Sequence, residues 1–262
     1  MVKTPDELAL MRISGRLLAS VFEMLDGQEL SGMSTLQVND LVDRFITVDL
    51  AARPASKGQY GFAYVLNCSI NHVVCHGVPD PDEIIRDGDI INLDITLEKN
   101  GFIADSSKTY LVGNVPPAAR RLVRVAREAM WKGIGQVRPG AYLGDIGFAI
   151  ERHAKRNGYS VVREFCGHGI GRQMHEEPQV LNFGRPGTGL KLREGMVFTI
   201  ETMVNQGTRK VSTASDGWTV VTNDRRLSAQ FEHTVAVTGD GVEVLTLRST
   251  EAVMPERSVS RP

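Results

Sequence analysis

The sequence predicts an α/β (more strictly α+β) fold of two related halves, and three observations carry that prediction. A β-hairpin over residues 86–110 holds two acids, the order of elements starts again after residue 112, and the second pass repeats an acid at the same place. In the hairpin, RDGDIINLDITLEKNGFIADSSKTY, Ile91, Leu93 and Ile95 alternate with Asn92, Asp94 and Thr96, the period of a strand with one apolar and one polar face. Asn100-Gly101 marks a type I′ turn, since both residues accept positive φ. That turn sets Thr96 opposite Asp105 and Asp94 opposite Ser107. Asp94 and Asp105 then become diagonal neighbours on the polar face, with Cα atoms roughly 7–8 Å apart, whereas a slip of one residue would part them. Carboxylates this close repel unless one is protonated or a cation lies between them. Alone, the hairpin reads better as the wetted face of a sheet; the rest of the chain reverses that preference.

In chain order, Thr4-Pro5-Asp6-Glu7 is a capping box with proline at the first helical position. Leu8, Met11, Leu18, Phe22 and Leu25 follow at helical spacing. Ser34 and Gln37 open a second helix carrying Val38, Leu41, Val42, Phe45 and Ile46, and residues 53–79 read as loop, short strand and turn before the hairpin. Pro116-Pro117 then breaks the chain. Leu122, Val125, Ala126, Ala129 and Met130 mark a third helix, and Ile146, Ala149, Ile150 and His153 a fourth, closed by Asn157-Gly158. A strand and a glycine-rich turn, VVREFCGHGIGRQMHEEP, lead to a segment like the first acid-bearing strand: IRDGDIINLDI from Ile85 against LREGMVFTIET from Leu192. Aligned at Gly88 and Gly195, Asp94 and Glu201 coincide, and Gly32 and Gly140 precede the second helix of each half. A pseudo-twofold axis between the halves, about 4–112 and 113–248, would turn these acids toward each other. Leu227 to Val237 is a further strand, in which Glu232 is costly unless paired, protonated or metal-bound. Residues 1–250 read as a single domain and 251–262 as a polar, poorly ordered tail.

At 262 residues, 42% apolar and 23% charged, the composition is that of an ordinary globular protein, and a net charge of −1 offers no general attraction to nucleic acid or anionic lipid. Cys68, Cys75 and Cys166 lack CxxC spacing, which argues against disulfides or a thiolate zinc site and for a reducing compartment. With no apolar run long enough to span a membrane and acids where a signal peptide needs an apolar region, the expected location is the cytoplasm.

Four acids thus come from strands, Asp94, Asp105, Glu201 and Glu232, and His168 lies between Gly167 and Gly169, where backbone and ring can approach a site closely. Oxygen ligands with one imidazole suit Mn²⁺, Fe²⁺, Co²⁺, Ni²⁺ or Zn²⁺ without choosing among them. Two divalent ions, about 3.5–4 Å apart in two-metal hydrolases, would balance four carboxylates better than one. His76 and His175 sit in turns near these strands; His72, His153 and His233 read as surface groups with no catalytic part, and Cys75 and Cys166, in apolar context, as structural.

The runs SINHVVCHGVPD, DGDIINLDITLEKNGFIADSSKTY, CGHGIGRQMHEEPQVL, EGMVFTIETMVN and DGWTVVTNDRRLSAQFEHT resemble type I methionine aminopeptidase, the bacterial form, and the likeness runs from KTPDELALMR to VLTLR. The resemblance implies the pita-bread fold, with two pseudo-symmetric halves around a dinuclear metal centre. The implied enzyme removes the initiator methionine from nascent polypeptides, met at the ribosome, and acts as a monomer. Asp94, Asp105, His168, Glu201 and Glu232 match the metal ligands, Asp105 and Glu232 bridging both ions. His76 and His175 match histidines that contact the substrate amide, and Trp218 matches a residue lining the methionine pocket. A water bridging two divalent ions would be acidified to hydroxide, with Glu201 moving its proton, and the substrate's free N-terminus would bind at the ion held by Asp94.

Some residues depart from the family pattern. Gln59, Phe62, Ala63 and Asn67 stand where tyrosines, a proline and a cysteine shape the pocket, Met174 replaces a phenylalanine, and Thr202 follows Glu201 in place of proline. An amide at Asn67 needs a partner that a thioether supplies only weakly. The expectation is weaker or broader activity, up to a proline-type peptidase of the same fold. A non-catalytic peptide-binding module is a further alternative, opposed by the complete ligand set. Prolidase-like enzymes also usually carry an extra N-terminal domain, whereas helix one begins here almost at residue 4.

Overall fold

The computed structural model describes residues 2–251. Helix α1 (Pro5–Asp26) starts from the Thr4–Glu7 capping box and buries Leu18, Val21, Phe22 and Leu25. Helix α2 (Thr35–Arg44) starts from the Ser34–Gln37 box and stops before Phe45 and Ile46, which were expected within it. Those two lie in a π turn, Phe45–Asp49, closed by the Leu50 N–H on the Phe45 carbonyl. The β-branched run Ile46-Thr47-Val48, stiff at χ1 and weak in helix propensity, accounts for the change of winding. The chain continues through β1 (Arg53–Pro54), a 3₁₀ turn (Gln59–Gly61), β2 (Leu66–Ile70), β3 (Val73–Cys75), β4 (Ile90–Lys99) and β5 (Phe102–Leu111).

The second half repeats the plan with α3 (Pro117–Ile134), α4 (Leu143–Arg156), β6 (Ser160–Val161), β7 (Gly167–Gly169), β8 (Glu176–Val180) and β9 (Val197–Asn205). It ends with β10 (Val211–Thr213), β11 (Val220–Thr222), β12 (Ser228–Val237) and β13 (Val242–Val244). The main sheet runs β1-β4-β5-β12-β9-β7-β8, antiparallel in each pairing, while β10, β11 and β3 form a small second sheet. The hairpin register is the one the turn dictates, with Thr96 opposite Asp105 and Asp94 opposite Ser107. One core packs α1 and α2 on β2 and β4, and another packs α3 and α4 on β9 and β12.

The repeated segments Ile85–Gly88 and Leu192–Gly195 lead into strands without being strand themselves. In each half they tie to the chain ahead of the second helix. Gly32 N–H donates to Ile85 O and Ile85 N–H to Met33 O, as Gly140 N–H donates to Leu192 O and Leu192 N–H to Ala141 O. These matching bonds fix where each acid-bearing strand enters the sheet.

The halves meet at the β5–β12 seam, where only Glu232↔Ser107 and His233↔Ser106 pair. Threonine hydroxyls extend it at both ends: Thr234 Oγ1 accepts from Asp105 N–H and donates to Asp105 O, and Thr109 Oγ1 does the same with Gln230. This stitching shows how the repeat maps. Asp94 corresponds to Glu201, but Ser107 corresponds to Glu232 and Asp105 to Gln230. The second acid of each half therefore occupies a different register, and the duplication supplies a frame that its two copies fill asymmetrically.

Candidate metal centre

Asp94 and Asp105 share one face of the β4–β5 hairpin, and Glu201 and Glu232 are direct partners across β9 and β12. His168 is delivered by β7, where the flanking glycines are steric necessities. A Cβ on Gly167 would stand 2.4 Å from the Thr199 carbonyl oxygen, and one on Gly169 would stand 2.1 Å from that of Glu177. Ligand atoms of Asp105, His168 and Glu232 lie within 4.8 Å of one another. The Asp94 carboxyl is hydrogen-bonded to that of Asp105, and Glu201 is close enough to both for their charges to act on it. All five residues thus meet in one place.

The electrostatics are those of carboxyl groups crowded together in a buried site. Asp105 is 5% exposed and Glu232 1%, and burial together with their mutual repulsion holds Asp105, Glu201 and Glu232 well above the usual carboxylate range. Asp94 is pushed up to about 7, chiefly by burial. Among the described residues, Asp105 Oδ1 finds no hydrogen-bond donor, and the buried Glu232 carboxyl has only the Thr199 hydroxyl and the Asp105 carboxyl beside it. Buried carboxylates without donors are costly, and divalent cations are what such a donor set accepts. The imidazole is prepared in the same sense. His168 Nδ1 lies 3.0 Å from the Gly169 carbonyl, which can only accept, so Nδ1 carries the proton and Nε2, 3.7 Å from Asp105 Oδ2, keeps its lone pair. Burial lowers its pKa to about 4, so the ring is neutral.

A cavity of about 760 Å³ opens onto this cluster, lined by Asp94, Asp105, His168 and Glu201 and by all seven expected substrate contacts: Gln59, Phe62, Asn67, His76, Met174, His175 and Trp218. Glu232 lies behind that lining. His76 holds a left-handed backbone, φ 58°, and the next residue, Gly77, presses on the Cys68 carbonyl where no Cβ fits. Strain at a non-glycine residue beside a cavity is characteristic of functional sites. The His175 ring stands 4.4 Å from that of His168, and its Nδ1 meets the Tyr60 hydroxyl at 3.4 Å. Phe62 packs on Trp218 at 5.2 Å and Phe165 edge-on against His76 at 5.4 Å, so the lining also carries an aromatic part. Asn67, the register partner of Asp94, gives its amide to the Asp94 carboxylate.

Sequence reasoning passed over Tyr60 and Phe165. The only signal for either was adjacency, to Gln59 and to the Cys166-Gly167-His168 run. Cys166 needs correction: expected to be structural in apolar surroundings, it lines the cavity, with its thiol pushed up to about 11 by burial and Glu201. Cys75 is buried, and His72, His153 and His233 engage Arg225, Glu128 and Thr246 away from the cavity. Thr202 is fully buried in β9, its hydroxyl without a partner among the described residues.

The model of metallopeptidase family M24 matches residues 9–239. The chain belongs to this family. It is 49% identical over 245 residues to methionine aminopeptidase B of Synechocystis sp., covering 92% of this chain and 89% of that one. To the methionine aminopeptidase of Escherichia coli strain K12 it is 45% identical over 252 residues, 96% of each. The crystal structure of methionine aminopeptidase from Rickettsia prowazekii superposes with a TM-score of 0.92 at 47% identity, over 94% of this chain and 99% of that one. The fold is the pita-bread fold of this family, and the chain is a metallohydrolase with a candidate site for divalent metal.

Proposed function

We infer that the protein is a metal-dependent aminopeptidase that removes the N-terminal, initiator methionine from polypeptides. The observation that carries this is the cavity itself, whose lining combines a cluster of unneutralised carboxylates and a neutral imidazole with the aromatic rings of Phe62, Phe165 and Trp218. Asp94, Asp105, His168, Glu201 and Glu232 would hold two divalent ions. Bound there, such ions supply Lewis-acid charge and bring the ionisation of water toward neutral pH.

The chain's own residues do the rest. Glu201, whose carboxyl pKa is raised by burial and by the charges of Asp94 and Asp105, accepts a proton from the attacking water and passes one to the departing amine. His175, steadied by Tyr60, donates to the scissile carbonyl as negative charge develops, and His76 holds the substrate amide. Phe62, Met174 and Trp218 receive the apolar methionine side chain and exclude water around it. The substrates are N-termini of nascent polypeptides, met at the ribosome in the cytoplasm, by an enzyme acting as a monomer. No helix among the described residues is long and apolar enough to cross a membrane.

The alternative of broadened or proline-type specificity is not favoured, because the relatives at 45–49% identity are methionine aminopeptidases over most of the chain. The amide of Asn67, the main ground for that expectation, faces Asp94 and so does not need a partner from the substrate. The test is kcat/KM on Met-, Leu-, Ala- and Pro-initiated peptides, with the protein loaded in turn with manganese, cobalt, iron, zinc and nickel. A preference for methionine of at least about a hundredfold is expected. No hydrolysis with any metal, or a preference for another first residue, would contradict the reading.

A further inference from the structure

On the face of the β5–β12 seam opposite the carboxylates, a buried polar group interrupts the apolar packing of α1 and α3. Arg248, 1% exposed, lies with its guanidinium carbon 4.2 Å over the Phe22 ring of α1. Its Nη2 donates to Ser106 Oγ at 2.8 Å and to Ser107 O at 3.0 Å, and its Nη1 to Glu251 at 3.3 Å. Ser106 Oγ in turn donates to the Glu232 carbonyl at 2.7 Å. Glu251 also faces His233 Nε2 at 3.1 Å, and the main chain beside it is tied to α1 by Ser249 N–H on Glu23. One guanidinium therefore reaches Phe22, Ser106 and Ser107 of the first half and, through Ser106 and Glu251, Glu232 and His233 of the second.

Its position matters because the seam is so short. Beyond the Thr234 and Thr109 hydroxyl bonds to Asp105 and Gln230, only two residue pairs are in register there, and both include a residue next to Arg248 or one hydrogen bond away from it. Asp105 precedes Ser106 in the chain, and Glu232 is the residue whose carbonyl Ser106 holds. Two ligands from different halves thus share one support.

We propose that Arg248 is a positioning residue for the metal centre, which through Ser106 and the Ser107 carbonyl holds the Asp105 and Glu232 strands at the one separation that grips the ions. The proposal rests on the reading of those two acids as metal ligands. A guanidinium fork can meet Ser106, Ser107 and Glu251 at once, and a lysine ammonium cannot match that geometry. Supports of metal ligands typically govern affinity as well as geometry.

The experiment compares wild type, Ser106→Ala and Arg248→Lys in the full chain. Mn²⁺ affinity is read by calorimetry, ligand geometry by the visible spectrum of the Co²⁺-loaded protein, and folding by the melting temperature of the metal-free protein. Ser106→Ala, which leaves the Arg248–Glu251 pair intact, is expected to melt near wild type, to bind Mn²⁺ about tenfold more weakly, and to show a shifted cobalt spectrum. Arg248→Lys should exceed it in the last two. Wild-type affinity and spectrum in Ser106→Ala would overturn the proposal, whether or not Arg248→Lys folds. A wild-type protein that takes up neither metal would instead overturn the metal-centre reading, and the proposal with it.

Discussion

The two faces of the β5–β12 seam bury charge in opposite ways. On the cavity side, Asp94, Asp105, Glu201 and Glu232 crowd together with no cation among the described residues to neutralise them, and their pKa values rise. On the helix side, Glu251 is just as enclosed but faces Arg248, Arg127 and His233, and its pKa falls to about 2. The same strands therefore carry one cluster that costs the fold stability and another that is internally compensated. Burial alone does not explain the difference; partners do. A buried charge with its partner in the chain belongs to the fold, whereas one without a partner reserves its place for something bound.

The contrast breaks most sharply under matched substitutions. Glu232→Gln should cut kcat/KM by roughly a thousandfold and yet leave the metal-free protein at least as stable as wild type, since it removes a repelling carboxylate. Glu251→Gln should do the reverse, lowering stability by about 3 kcal/mol through the uncompensated Arg248 it leaves, with a far smaller loss of turnover in the protein that remains folded. Activity assays and chemical denaturation of both variants check this, and a destabilised metal-free Glu232→Gln would contradict it.

A smaller effect, in pH, sharpens the same comparison. A group whose pKa is raised by folding, as Asp94 is from 3.8 to about 7, stabilises the folded state at low pH and loses that contribution as pH rises through the folded value. His168 and His233, lowered from 6.5 to about 4, titrate in the opposite sense but only below their unfolded value. Between about pH 6.5 and pH 8 the acids therefore dominate. The melting temperature of the metal-free protein should fall across that range. With Mn²⁺ present, where binding favours the deprotonated acids, the fall should vanish or reverse.

How much of this could be read from the sequence depended on whether the cause was local. The hairpin register followed from Asn100-Gly101, and both capping boxes from four-residue patterns, because each is settled by neighbours in the chain. The family runs pointed to the cavity-lining residues. What stayed hidden was set by long-range packing. The strand-like look of Ile85 and Leu192 concealed a tie to the chain ahead of α2 and α4. Nothing local marked Tyr60 as the neighbour of His175, 115 residues away. The expected tail was placed slightly early, since Glu251 is anchored by partners from α3, β12 and its own turn; residues 252–262 lie outside the described residues. The unequal registers of Asp105 and Glu232 could be seen only once the seam had been located.

The claim beneath all of this is that residues from both halves converge to hold two cations. Anomalous diffraction from a crystal grown with manganese tests it most directly. Two peaks within reach of Asp94, Asp105, His168, Glu201 and Glu232 are the predicted result. A map with no peak among these five side chains at saturating manganese, or with manganese bound elsewhere, would contradict it.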